Sequence, residues 1–145
     1  TSGIVLAPTL LHASDGVPLK ATIVTTSESF QPGTFPVLGF VTSTGEGTST
    51  HLGKLTTSGQ VALIWTSEGV WFVGAGTSVA ANGDELYNTL EGLDTGYGDT
   101  SGTFTITGGT GRFAGATGSG TFTSSRDADD VMTAVHEGTI DYKKN

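Results

Sequence analysis

Apolar residues along this chain fall in short runs, and in the clearest of them the spacing is two. Phe104 and Ile106 share one side of a segment whose other side is Thr103, Thr105 and Thr107. Asp84, Leu86, Asn88 and Leu90 alternate in the same way with Glu85, Tyr87, Thr89 and Glu91. Near the end, Met132, Ala134, His136, Gly138, Ile140 and Tyr142 oppose Thr133, Glu137, Thr139 and Asp141, with Val131 and Val135 blurring the second face. Residues two apart lie on one face of a strand, so this pattern predicts antiparallel sheet with one dry and one wet face. No stretch carries the stripe of an amphipathic helix, and a single turn at Ala128–Val131 is the most that the pattern allows.

Turn residues divide the chain. Gly3–Leu11 is apolar but contains Pro8, which cannot donate to a ladder, and it ends at Ser14-Asp15-Gly16. Residues 1–16 are therefore read as an arm or edge strand, and 17–145 as the body. Strands are expected at Lys20–Thr26, then across Val37–Thr44 and Thr48–Thr57 as one strand bent at Gly45-Glu46-Gly47. Ser58-Gly59 is expected to turn the chain into Gln60–Trp65, and Ser67-Glu68-Gly69 into Val70–Ala80. Asn82-Gly83 is the strongest hairpin signal, because both central residues of a type I′ turn need positive φ. It leads into Asp84–Glu91, followed by a loop over Gly92–Ser101 and strands at Gly102–Thr107, Gly118–Ser125 and Val131–Tyr142. This spacing is that of sandwiches and barrels, and closure removes the exposed edges. The predicted fold is all-β: a closed antiparallel β-barrel of about eight strands.

Composition agrees and narrows the function. The 145 residues include 23 Gly, 26 Thr and 13 Ser, a mixture that disfavours helix, while Thr suits a pleated surface. The net charge is −8 with six Lys plus Arg, so there is no basic stripe for nucleic acid. No apolar run approaches the roughly 20 residues of a membrane span. Cysteine is absent, which removes disulfides and thiolate metal sites. A start on Thr1 rather than Met, with a surface rich in Thr, Ser and Gly, leads us to expect a secreted or periplasmic protein.

The most specific segment is Ile106-Thr107-Gly108-Gly109-Thr110-Gly111-Arg112-Phe113-Ala114-Gly115-Ala116-Thr117-Gly118. A phosphate cradle would need a helix to follow the glycines, and Phe113-Ala114-Gly115-Ala116 is a poor helix and a fair turn. The better reading is a β–β connection in which at least one of Gly108, Gly109 and Gly111 has positive φ and Phe113 plugs a barrel end, with Gly118 closing the motif. This run resembles the glycine-rich motif of dirigent proteins and, more loosely, of allene oxide cyclases. The resemblance implies an eight-stranded calycin-type barrel, commonly trimeric, in a family that guides radical coupling or epoxide cyclisation. Thr117 stands where dirigent proteins usually have Arg, and no pocket residue transfers. Together with Thr50-His51-Leu52-Gly53-Lys54 and Ala81-Asn82-Gly83-Asp84-Glu85-Leu86, the motif is also similar to that of secreted bacterial proteins of no known activity, over Gly39 to Tyr142.

Candidate ligand-binding residues are Trp71, Asn88, His136 and Tyr142; no catalytic residue stands out. His136 and Tyr142 lie inside if the barrel closes. An interior His is ordinarily a hydrogen-bonded core residue, but it can also hand a proton to a ligand in a dry bore. Trp71, Val73, Ala75 and Val79 share a face that serves as a pocket wall or as plain core, with Trp65 near a rim. Val70 and Phe72 fall on the opposite, outer face, which predicts a covering partner and hence a dimer or trimer. Nothing in the sequence shows His12, His51 and His136 to converge, so no metal is expected. Asp127, Asp129 and Asp130 lack the glycine and glutamate of a calcium loop, and no Ser has the elbow pattern of a hydrolase. No cofactor is implied. Two functions remain: a secreted barrel that binds a small apolar molecule, with or without cyclase chemistry, or a packed structural protein that assembles through its arm by strand addition.

Overall fold

Strands rich in Thr and Val that are joined by short turns pair most readily with their chain neighbours, and every pairing in this sheet except the closing one is of that kind. In a computed structural model, which describes residues 16–96 and 99–142, the strands are β1 (Val17–Pro32), β2 (Val37–Ser49), β3 (Gly53–Thr66), β4 (Gly69–Ala80), β5 (Glu85–Asp94), β6 (Thr100–Gly109), β7 (Thr117–Arg126) and β8 (Met132–Asp141). Each is antiparallel to the next, and β8 closes on β1 from Val17↔Ile140 to Val24↔Thr133. The fold is thus the closed eight-stranded antiparallel barrel, with one turn of 3₁₀ helix at Gly111–Phe113 and no α-helix among the described residues. Of the expected arm, residues 1–15 lie outside the described residues, including Gly3–Leu11 and His12.

The first strand, expected to end at Thr26, runs on to Pro32, because Ser27 to Pro32 pair with Thr44 to Gly39 of β2. Two further boundaries differ from the sequence reading, and glycine accounts for each. Ser58-Gly59 is not a turn: β2 stops at Ser49, the chain turns through Thr50-His51-Leu52, and β3 runs unbroken to Thr66. Gly59 faces Gly76 on β4, where a Cβ would stand 2.8 Å from the Ala75 carbonyl. The expected loop over Gly92–Ser101 is cut into from both sides, β5 running to Asp94 and β6 starting at Thr100, because Gly92 pairs with Gly102 and leaves room for Phe72, whose ring a Cβ at Gly92 would meet at 2.7 Å. These glycines let strands and rings approach closely in a coiled sheet; they do not break it.

The Asn82-Gly83 hairpin is present but is not type I′. Gly83 has φ +96°, while Asn82 is not among the positive-φ residues. The Gly83 N–H donates to the Ala80 carbonyl (2.9 Å) and the Ala80 N–H to the Asp84 carbonyl (2.9 Å), a type I turn with a glycine bulge. Asn82 holds this alternative in place, since its Oδ1 accepts from the Asp84 N–H at 3.0 Å.

The parity of β4 is also inverted. Phe72 points inward and is buried, and Val70 lines the bore with it, while Trp71 and Val73 point out. Val70-Trp71-Phe72-Val73 is apolar throughout, so alternation alone could not choose a face.

Candidate functional site

The bore has two unlike ends. Antiparallel up-and-down pairing puts the turn at residues 50–52, the turn at 81–84, the 3₁₀ turn and the last residue of β8 at one end. There Leu19, Leu52, Ala80, Leu86, Ala116 and Ile140 belong to the same buried cluster as Phe113, which has 0% exposure, and the Tyr142 ring lies 5.0 Å from Phe113. The left-handed turn that seats Phe113 comes from Gly111 at φ +60°, with Gly108 at +150° and Gly115 at +75° in the same connection; Gly109 does not have positive φ.

Polar groups lock this plug from outside. The His51 Nε2 lies 2.8 Å from the Pro18 carbonyl, which can only accept, so this nitrogen carries the proton. Its Nδ1 therefore accepts from the Tyr142 hydroxyl at 2.9 Å. Arg112 lies over the Phe113 ring at 4.7 Å, donates to the His51 carbonyl at 2.8 Å and approaches Asp84 at 3.8 Å. Asp84 also occupies the space beside Gly111, where a Cβ would stand 2.0 Å from its Oδ1. The concavity that a phosphate would need is thus filled by a carboxylate of the chain itself.

Above the plug the bore is hollow. A cavity of about 400 Å³ runs from Leu52 and Leu55 at the plug to Glu28, Asp94 and Arg126 at the open end. Its wall is mainly apolar and includes the rings of Phe72, Phe104 and Phe122 together with Val41, Val61 and Leu63. Polar groups are few: Asn88 and His136 at mid-height, and hydroxyls near the mouth, where Thr100 and Ser124 bond each other. At the mouth, Arg126 makes a two-pronged contact with Glu28 (3.1 and 3.0 Å) across the gap where β1 outruns β8. This contact, the largest influence on the group, raises the guanidinium pKa further. The acidic turn beyond β7 is self-contained, because Asp127 Oδ1 accepts the N–H groups of Asp129 (2.8 Å) and Val131 (3.1 Å).

Of the four residues expected to bind a ligand, the cavity brings together Asn88 and His136. Trp71 is on the outer wall and Tyr142 is spent on the plug. Phe72, Phe104 and Phe122 were not singled out by the sequence as cavity wall, although the parity of Phe104 was a signal for it. His136 is the unusual group: its ring stacks on Phe122 (5.1 Å, 21°) and tilts against Phe104 (5.3 Å), and its Nδ1 is sealed with no hydrogen-bond partner. Burial lowers its pKa to about 4, so the imidazole is neutral at physiological pH.

Fold and bore together define a closed up-and-down barrel, plugged at one end and open at the other onto an apolar cavity. Two solved structures are similar to it. One is the pterocarpan synthase dirigent protein PsPTS1, at TM-score 0.62 and 16% identity, covering 91% of this chain and 98% of that one. The other is the pterocarpan synthase dirigent protein GePTS1, at TM-score 0.61 and 18% identity, covering 97% of this chain and 100% of that one. The chain thus has a dirigent-like barrel fold. No family model matches the chain, and no curated protein matches it.

Proposed function

We propose that this protein is a secreted barrel that binds a small, mainly apolar molecule in its bore. The observation that carries the reading is the cavity of about 400 Å³, apolar on most of its wall and interrupted by a few polar groups at mid-height. A barrel packed solid would have no such space, which weighs against a purely structural role. The similar barrels whose names make them pterocarpan synthases add a second reading, that enclosure here also promotes a cyclisation. Among the described residues of the lining, His136 is the titratable group that lies away from the mouth and could assist it.

Native mass spectrometry of protein purified from its own host tests binding directly, and a retained small molecule is the expected result. Val61→Trp, which fills the cavity from β3, is expected to abolish binding of an apolar probe such as fluorene while the barrel still melts cooperatively. Equal binding by the native and Val61→Trp proteins would move the site out of the bore.

The expected oligomer rests on different residues once β4 is turned over. Phe40, Ala62 and Val73 lie side by side on the outer wall, next to the row Ile64, Trp71 and Leu93. We propose that a second copy covers this apolar strip, which Glu91 borders, because exposed apolar patches on a barrel wall favour association. Val73, 41% exposed, ends the first row beside Glu91 of β5. Val73→Asp is expected to reduce the sedimentation coefficient to that of a monomer, and a native protein already monomeric at high micromolar concentration would refute the proposal.

A further inference from the structure

The cavity contains an unused hydrogen-bonding group whose proton can be assigned. His136 sits on β8 opposite Phe122 of β7 and Ala21 of β1, and its ring faces are taken by Phe122 and Phe104. Hydrogen bonding is left to the ring edge, and neither nitrogen bonds a protein group among the described residues. Nδ1 is sealed from solvent; Nε2 is not among the sealed atoms, and the residue lines the cavity.

A neutral imidazole carries one N–H and one bare nitrogen. A proton on Nδ1 would bury a donor with no acceptor, the rarer and less tolerated defect in proteins. A proton on Nε2 leaves only a lone pair buried and aims the donor at space that water or a ligand can fill. The same space is walled by three phenylalanine rings, which favour a flat or ring-shaped partner. We infer that His136 donates from Nε2–H to an acceptor oxygen, a carbonyl or ether, on a ring-shaped apolar ligand, and so selects which apolar molecules the bore accepts.

This inference rests on the cavity-binding reading, and the test separates the two. The probes are 9-fluorenone and fluorene, which have nearly the same shape and differ by one carbonyl. Fluorenone is expected to bind the native protein roughly five- to ten-fold more tightly, the worth of one neutral hydrogen bond, because fluorene leaves the donor unpaired. In His136→Phe the preference is expected to vanish while fluorene still binds. Equal affinities in the native protein, or a preference that survives in His136→Phe, would overturn the role of His136 and leave the cavity reading intact. Binding of neither probe would overturn both. Independently of any ligand or variant, ¹⁵N spectroscopy of the native protein at neutral pH is expected to find the His136 proton on Nε2, and a proton on Nδ1 would overturn the inference.

Discussion

Phe113→Ala is expected to destabilise the barrel by about 3–5 kcal/mol. The ring is wholly buried and fills the closed end, touching the Tyr142 ring on one side and lying beneath Arg112 on the other. Its loss leaves a hole that the surrounding strands cannot collapse into, because β1 and β8 are locked to each other across the same end. The variant also strips the turn of its anchor, since Gly111 and its neighbours gain backbone freedom when nothing holds the loop. Arg112→Ala is expected to cost about 1 kcal/mol or less, because its pairing with Asp84 is long and partly exposed. Phosphate is expected to change neither melting temperature. A small loss for Phe113→Ala, or a phosphate-dependent rise that disappears with Arg112, would show the glycine loop to be an anion site.

Acid is expected to weaken the native barrel more than a barrel with leucine at position 136. The folded protein holds His136 near pKa 4 through burial, while the unfolded chain titrates it near 6.5. Between these values the unfolded chain takes up a proton that the folded one refuses, so stability falls as pH drops from about 6.5 towards 4 and is unaffected above that window. At about 1.4 kcal/mol per pKa unit, the whole effect is about 3 kcal/mol. His136→Leu removes the slope, and groups common to the two proteins cancel in the comparison. Urea unfolding at pH 7.5 and pH 4.5 measures it. Parallel loss in the two proteins would mean that His136 is hydrated or paired in solution, and would also undermine its assignment as a free donor in the bore.

Much of this molecule can be read from local alternation, and the places where the reading holds are those where one face is apolar and the other polar. β6 and β8 are of that kind: Phe104, Ile106, Ala134, His136 and Ile140 lie inside, because a slip of one residue would bury a row of Thr and Asp. The glycine-rich connection is legible for the same local reason, since a lone large apolar residue beside glycines has only the core to go to. Strand count follows from turn spacing, and closure from the cost of open edges.

What required the tertiary structure were facts that depend on a neighbour. Whether a glycine serves a turn or a close approach is decided by the strand beside it, so Gly59 and Gly92 look like breaks along the chain and are contacts in the sheet. Val70-Trp71-Phe72-Val73 acquires an inside only when β5 and β3 fix the register, and with it Trp71 moves to the outer wall. The solitude of His136 is likewise a property of its surroundings: alternation places it inside, but only packing between Phe104 and Phe122 seals one nitrogen and leaves the ring unpaired. Whether the bore is filled or hollow depends on how far eight strands stand apart against the summed volume of their inward side chains. No run of residues along one strand carries that difference.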